Sequence, residues 1–173
     1  TGSILKDRVN QKVYCALSDR AHEELVIEFC EDFDCTPVIF TAYQSVNGAR
    51  LPIYHTNVMM CMGETYTVIC LDAIDDKKER KNVLDHLKQD GKEIIVITEE
   101  QMHHFAGNML QVEGPSGERY LIMSSAAYNS LRPDQIRKLE KYNSIVHSTL
   151  DTIETCGGGS ARCMMAEVFL PKQ

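Results

Sequence analysis

Several things are missing from this 173-residue chain, and each absence narrows what it can be. There are seven cysteines, but none are spaced C-x-x-C. An odd count without that spacing argues against a disulfide framework and against structural zinc, and for a reduced, cytoplasmic protein. No apolar run reaches transmembrane length, and residues 1–18 lack the charged-then-apolar layout of a secretory signal. No Lys/Arg block stands out, and a net charge of −7 makes nucleic acid and anionic membranes poor partners. Glycine is scarce, at 10 residues, yet three fall together in E-T-C-G-G-G-S-A-R-C-M-M-A-E-V-F-L at 154–170. Such a tract usually serves as a flexible linker, but here no second domain follows for it to link.

What is present suits one globular domain with a sizeable core, at 43% hydrophobic and 25% charged residues. Cys15, Cys61 and Cys70 sit in apolar, strand-like runs, where a thiol behaves as a small hydrophobe. Glu99-Glu100-x-x-His103-His104 has metal-ligand residue types, but solvated side chains explain it better, so no metal is assigned.

Three helices are expected. The first follows Ser18 as N-cap and carries Leu25, Phe29 and Phe33 at i+4 steps, with Val26 and Cys30 beside them. Asp76-Lys77-Lys78-Glu79 reads as a capping box opening the second, with Val83, Leu84 and Leu87 inward. Pro133 opens the third, which carries Ile136 and Leu139. Strand-like runs precede these helices at Lys12–Leu17, Tyr66–Leu71 and Arg119–Ser124, and follow them at Thr36–Thr41, Lys92–Thr98 and Ser144–Ser148.

A repeat underlies this order. G-S-I-L-K at Ser3, T-N-V-M-M at Asn57, G-N-M-L-Q at Asn108 and R-C-M-M-A at Cys163 recur at spacings of 54, 51 and 55 residues. Each places a small or polar residue where a strand launches, so the unit is strand, strand, helix, strand. Units of this size need neighbours to bury their apolar faces, and a closed ring would bring the four launching residues to one axis. The glycines before Cys163 then let backbone enter a centre where a Cβ would clash.

Cys163 is the candidate nucleophile. A cysteine after a glycine turn meets backbone N–H groups, and Arg162 supplies an adjacent cation. Cys156 lies outside any strand pattern and is read as incidental. A thiolate nucleophile needs a proton carrier, and of six histidines His55 stands two residues before Asn57, the counterpart of Cys163 in the repeat. Period-two alternation places His55 and Asn57 on one face of one strand. Asn57 offers an amide donor and acceptor for a substrate's polar end, or is a turn residue. Asn108 and Ser3 hold equivalent positions, and Arg162 is either a carboxylate binder or a surface charge.

Three stretches carry a family resemblance: P-I-Y-H-T-N-V-M-M-C at 52–61, F-A-G-N-M-L-Q at 105–111 and the glycine–cysteine stretch at 153–170. Over essentially its whole length the chain resembles the guanidino-group-modifying amidinotransferase superfamily, most closely its citrulline-utilisation and arginine deiminase-like branch. The resemblance implies an α/β fold of the pentein type, a propeller of ββαβ repeats with about three of five blades present plus a final strand. It implies one domain over 1–173 lacking its N-terminal blades. Gly2-Ser3 matches the tail of a motif like Glu-Gly-Gly-Asp, which would carry an active-site carboxylate. The missing half, or another copy of the chain, is then an expected partner.

The resemblance also implies that Cys163 attacks the planar carbon of a guanidino or ureido amino acid. His55 protonates the leaving amine and then activates water, with no cofactor. Asn57 stands where arginine deiminases carry an aspartate, and a neutral amide suits a neutral ureido group such as citrulline's. An amidinotransferase, in which an amine replaces water, is the alternative enzyme. A non-catalytic binding or assembly unit is the alternative outside catalysis.

Overall fold

The computed structural model describes residues 2–168. Strand β1 (Ile4–Asp7) pairs antiparallel with β2 (Lys12–Leu17), which pairs parallel with β3 (Thr36–Thr41) after the crossover helix α1 (Glu23–Asp32). A hairpin follows, β4 (Tyr43–Val46) against β5 (Ala49–Pro52). The second three-stranded sheet repeats the first: β6 (Met60–Met62) antiparallel to β7 (Tyr66–Ile69), then α2 (Lys77–Gln89) and the parallel β8 (Glu93–Val96). Short helix α3 (Glu99–His103) leads to the third sheet, where β9 (Leu110–Glu113) and β10 (Arg119–Ser124) pair antiparallel. Helices α4 (Ser125–Ser130) and α5 (Pro133–Glu140) then cross to the parallel β11 (Ser144–Ser148), and α6 (Asp151–Cys156) precedes the glycine tract. The chain is therefore a mixed α/β protein of small sheets, three with the same strand, strand, helix, strand connection.

Parallel strands two and three of each unit need a helical crossover, and those crossovers bury the core. One apolar cluster runs through all three units, from Tyr14 and Phe40 through Met59, Met60 and Tyr66 to Ile95, Met102 and Leu121. A smaller one, Val13, Cys15, Val26 and Cys30, lies beneath α1. Cys15, Cys61 and Cys70 are buried as expected, and desolvation pushes their thiols up to about 11, 12 and 11.

The first helix departs from expectation. Its N-cap is His22, not Ser18. Ser18 instead closes a tight bridge with Ala21, accepts from the Arg20 N–H and donates to the Tyr54 carbonyl at 3.0 Å. Val26 and Cys30 face inward, while Leu25 and Phe33 are 61% and 56% exposed. Phe29 is half-buried against the cluster beneath α1 and packs its ring at 4.6 Å from that of the exposed Phe33. Asp76 caps α2 through the Lys78 and Glu79 N–H groups, but Glu79 does not reach back. Its carboxylate accepts from the N–H and hydroxyl of Thr41 at 2.8 and 2.7 Å and so ties α2 to β3.

The expected launch points are less uniform than their spacing. Ser3 directly precedes β1 and Asn108 comes two residues before β9, but Asn57 and Cys163 sit in 3-10 turns, Thr56–Val58 and Ala161–Met164. Residues 165–168 carry no strand, and the rest of the strand expected after Cys163 lies outside the described residues. His55 and Asn57 likewise do not share a strand face. His55 is extended and caps the turn, and Asn57 lies within it. The turn is enforced by buried Thr56, whose hydroxyl donates to the Ser3 carbonyl and accepts from the Ala16 N–H.

Candidate active site

Three chain segments converge on Cys163. The glycine tract leads into its turn, where Gly158 adopts φ +68° and Gly159 passes so close that a Cβ there would sit 2.9 Å from the Cys163 Cβ and Sγ. Glycine meets both demands without strain. Ser160, fully buried, donates to the Glu154 carboxylate at 2.6 Å and closes the loop onto α6. The segment 105–108 approaches from another side: a Cβ on Gly107 would run into the Val58 carbonyl. That close passage brings the Asn108 amide to the sulfur.

Asn108 Nδ2 lies 3.2 Å from Cys163 Sγ and 3.0 Å from the Asn57 carbonyl oxygen. Asn57 Nδ2 lies 3.7 Å from the same sulfur. The Asn57 N–H donates to the Gly2 carbonyl, and the Arg162 N–H to that of Asn108. Neighbouring repeats are thus linked backbone to backbone around the cysteine. Both asparagines are buried, at 3% and 2% exposure, and neither Oδ1 has a partner among the described residues.

His55 is half-buried and makes no hydrogen bond to Cys163. Its neighbours reach the cysteine loop on both sides, Tyr54 through its hydroxyl to the Gly158 carbonyl and Asn57 through its amide to Sγ. Burial holds the imidazole below its ordinary value, and the nearby Arg20 guanidinium adds to this. Arg20, which the sequence did not single out, stands over the Tyr54 ring at 5.6 Å. No side-chain carboxylate pairs with it among the described residues. A pocket of about 440 Å³ borders this ground, lined by Gln44, Ser45 and Asn47 of the hairpin, by Tyr54, His103 and Phe105, and by Asn108, Gly158 and Gly159.

Two expected contributors point elsewhere. The Ser3 hydroxyl donates to the Arg20 carbonyl at 3.4 Å. The Arg162 guanidinium donates to the Met165 carbonyl at 3.0 Å and meets the Glu167 carboxylate at 3.4 Å, so the cation next to Cys163 in sequence is directed away. Of the Glu99–His104 cluster, Glu99 is engaged by Arg50 and the Ser45 N–H. Among the described residues no group of three or more His, Cys, Asp or Glu is placed to hold a metal ion.

The family model described as N,N dimethylarginine dimethylhydrolase, eukaryotic, matches residues 1–170. The chain belongs to that family. It thereby falls in the pentein, or amidinotransferase, superfamily and its arginine-modifying branch. No curated protein matches the sequence. Among solved structures, the fold is similar to apo ArgZ, an arginine dihydrolase of the ornithine-ammonia cycle in cyanobacteria, at TM-score 0.75 and 17% identity over 98% of this chain and 24% of that one. It is also similar to the N-terminal domain of a singly substituted ArgZ covalently bound to a reaction intermediate, at TM-score 0.71 and 17% identity, covering 94% of this chain and 53% of that one. A third is AgrE in a ternary complex with ornithine and NAD+, at TM-score 0.71 and 19% identity over 99% of this chain and 23% of that one. The chain thus spans about a quarter of the full ArgZ and AgrE chains. No helix among the described residues is long and apolar enough to cross a membrane.

Proposed function

We propose that the chain carries the nucleophile and the proton carrier of a hydrolase acting on a carbon–nitrogen bond of a guanidino or ureido amino acid. The observation that carries this reading is the setting of Cys163. Of the two exposed thiols, Cys156 and Cys163, only Cys163 receives side-chain N–H groups among the described residues, and Asn108 and Gly159, which both approach its sulfur, also line the pocket of about 440 Å³, although Cys163 itself does not. The three repeated units are read as three blades of a five-bladed propeller, with the site at the axis where Asn57, Asn108 and Cys163 meet.

In the reaction, Cys163 Sγ forms a bond to the planar carbon of the substrate. The thiol proton passes by way of His55 to the leaving nitrogen, whose bond to carbon breaks. Water then adds to the S-linked carbon and gives a proton to His55. The C–S bond breaks, Sγ leaves, and ammonia or an amine has been released. A His55 held below its ordinary value is neutral at pH 7 and can take the first proton. Arg20, exposed beside Tyr54 and His55, offers a cation to the substrate's α-carboxylate in the role expected of Arg162.

The test is ammonia or amine release from arginine, methylated arginine and citrulline by the whole protein. Cys163→Ala should abolish turnover and His55→Ala should lower it by about 10² or more. Full turnover by Cys163→Ala would refute the reading.

A further inference from the structure

We propose that Arg50 is a positioning residue of the substrate pocket. Its guanidinium clamps the β4–β5 hairpin to α3, and the clamped hairpin is the wall that holds a substrate beside Cys163. This rests on the reaction proposed above and adds to it a binding element that touches none of the reacting atoms.

The hairpin has little apolar burial to hold it. Its two strands pair with each other and with no further strand among the described residues. β5 is exposed along its whole length, and so is Val46 of β4. A two-stranded hairpin is marginal by itself in water, so its position depends on its attachments. At the base, the Ile53 N–H donates to the Ala42 carbonyl at 2.8 Å. Away from the base, the attachment is Arg50 with its partners. Its Nη1 lies 3.0 and 2.9 Å from the two Glu99 carboxylate oxygens and 3.1 Å from the Ser45 hydroxyl. Nε donates to the Asp75 carboxylate at 3.3 Å, and Nη2 donates to Asp75 and to the Asp72 carbonyl, the latter at 3.2 Å.

Those partners decide what the clamp does. Glu99 opens α3 and also accepts from the Ser45 N–H of β4. Arg50 and Glu99 thus join the hairpin to the helix that carries Met102 and His103, and both elements line the pocket. Asn108 and Gly159, which approach the Cys163 sulfur, line it as well. That side is fixed without Arg50: the Asn57 carbonyl holds the Asn108 amide, and the Tyr54 hydroxyl holds Gly158. Losing the guanidinium therefore frees one wall and leaves the cysteine's surroundings in place. The loss is partial, because the Ser45 N–H keeps its bond to Glu99. An isolated surface ion pair contributes little, but Arg50 ties two carboxylates and a carbonyl into one network. A planar fork of five donors can span them, whereas a lysine ammonium is a point charge and cannot.

The experiment pairs two measurements on the whole protein. One is steady-state kinetics with whichever of arginine, methylated arginine and citrulline it turns over; the other is amide hydrogen exchange without substrate. In Arg50→Met, which keeps an unbranched stem and removes the donors, KM should rise about tenfold while kcat changes less than twofold. Exchange over residues 43–52 should quicken about tenfold, with β6 and β7 unchanged. Arg50→Lys should fall between the two proteins in both measurements. An Arg50 that served stability alone would lower the melting temperature and leave the KM of the folded enzyme unchanged. Such an unchanged KM overturns the wall, as does a raised KM without faster exchange over 43–52. A kcat that falls as far as KM rises overturns it too, since the hairpin would then align the reacting atoms. If Arg50→Met does not fold, Arg50→Lys decides: KM and exchange both raised support the wall, and either one unchanged overturns it. An unaltered KM in a protein that Cys163→Ala inactivates sinks the wall and leaves the proposed reaction standing. No turnover by the unsubstituted protein overturns both.

Discussion

The Tyr54 hydroxyl donates to the Gly158 carbonyl at 2.8 Å, so the residue before His55 is bonded to the loop before Cys163 across 104 positions of sequence. His55 and Cys163 have no bond of their own, and this latch is one of two ties that set their separation. Tyr54→Phe keeps the ring beneath Arg20 and removes only the hydroxyl. We expect kcat to fall about tenfold with KM changed less than twofold, since the loss is one of alignment. Steady-state kinetics on a guanidino or ureido amino acid checks this. An unaltered kcat would mean that the loop is held without the latch.

Gly159→Ala should be more severe. The new Cβ would lie 2.9 Å from both the Cβ and Sγ of Cys163, so the cysteine must move. A displacement of about 1 Å in a reacting atom costs on the order of 10² in rate. Thermal denaturation should move little, because Gly159 lies in a loop and outside the core. A variant with ordinary turnover would show that the loop has slack.

The pH dependence follows from His55. Its folded-state value lies below the ordinary 6.5, through burial first and Arg20 second. The unfolded chain therefore binds more protons than the folded one as the pH falls below about 6.5, and His55 then costs stability in acid. NMR titration of the His55 ring should place its midpoint below 6.5. Arg20→Gln should raise that midpoint without restoring it fully, because burial remains. A midpoint untouched by Arg20→Gln would show that the guanidinium does not face the imidazole.

Away from the site, Lys92 and Asp7 pair at 2.9 Å with side chains only 1% exposed. Lys92 also donates to the carbonyls of Gly63 and Glu64, and Asp7 accepts from the Val9 and Asn10 N–H groups. Lys92→Met should destabilise the protein by about 3 kcal/mol, the low end for breaking a buried pair because Asp7 keeps its N–H donors. Adding Asp7→Asn should recover part of the loss. Urea denaturation of the single and double variants checks both. A Lys92→Met protein as stable as its parent would contradict the pairing.

Much of this architecture was legible because it is local. The runs at 12–17, 36–41, 119–124 and 144–148 became strands with those bounds, and Asp76 and Pro133 open their helices as their chemistry requires. The misses depend on distant partners. Leu25 and Phe33 follow a helical period, but Val26 and Cys30, one residue round, are the ones buried with Val13 and Cys15 of β2. Asn57 turns instead of extending because Thr56 is held by Ser3 and Ala16, some 40 to 53 residues earlier. The Asn47-Gly48 turn of the β4–β5 hairpin was readable and overlooked: both residues take positive φ, the usual signal for such a turn. At the site, the repeat led to Asn57, Asn108 and Cys163. Which way an amide points, and where Arg162 sends its charge, is decided only by the folded surroundings.

Covalent attack by Cys163 is the centre of the account, and intact-protein mass spectrometry tests it most directly. The whole unsubstituted protein, which keeps both the nucleophile and the proton carrier, is mixed with arginine, methylated arginine or citrulline and sampled during turnover. It is quenched in acid and mapped by peptide. A substrate-derived mass is expected on the peptide containing Cys163, absent from a Cys163→Ser control. A protein that turns the same substrate over while Cys163 stays unmodified, or that carries the adduct on Cys156, would contradict it.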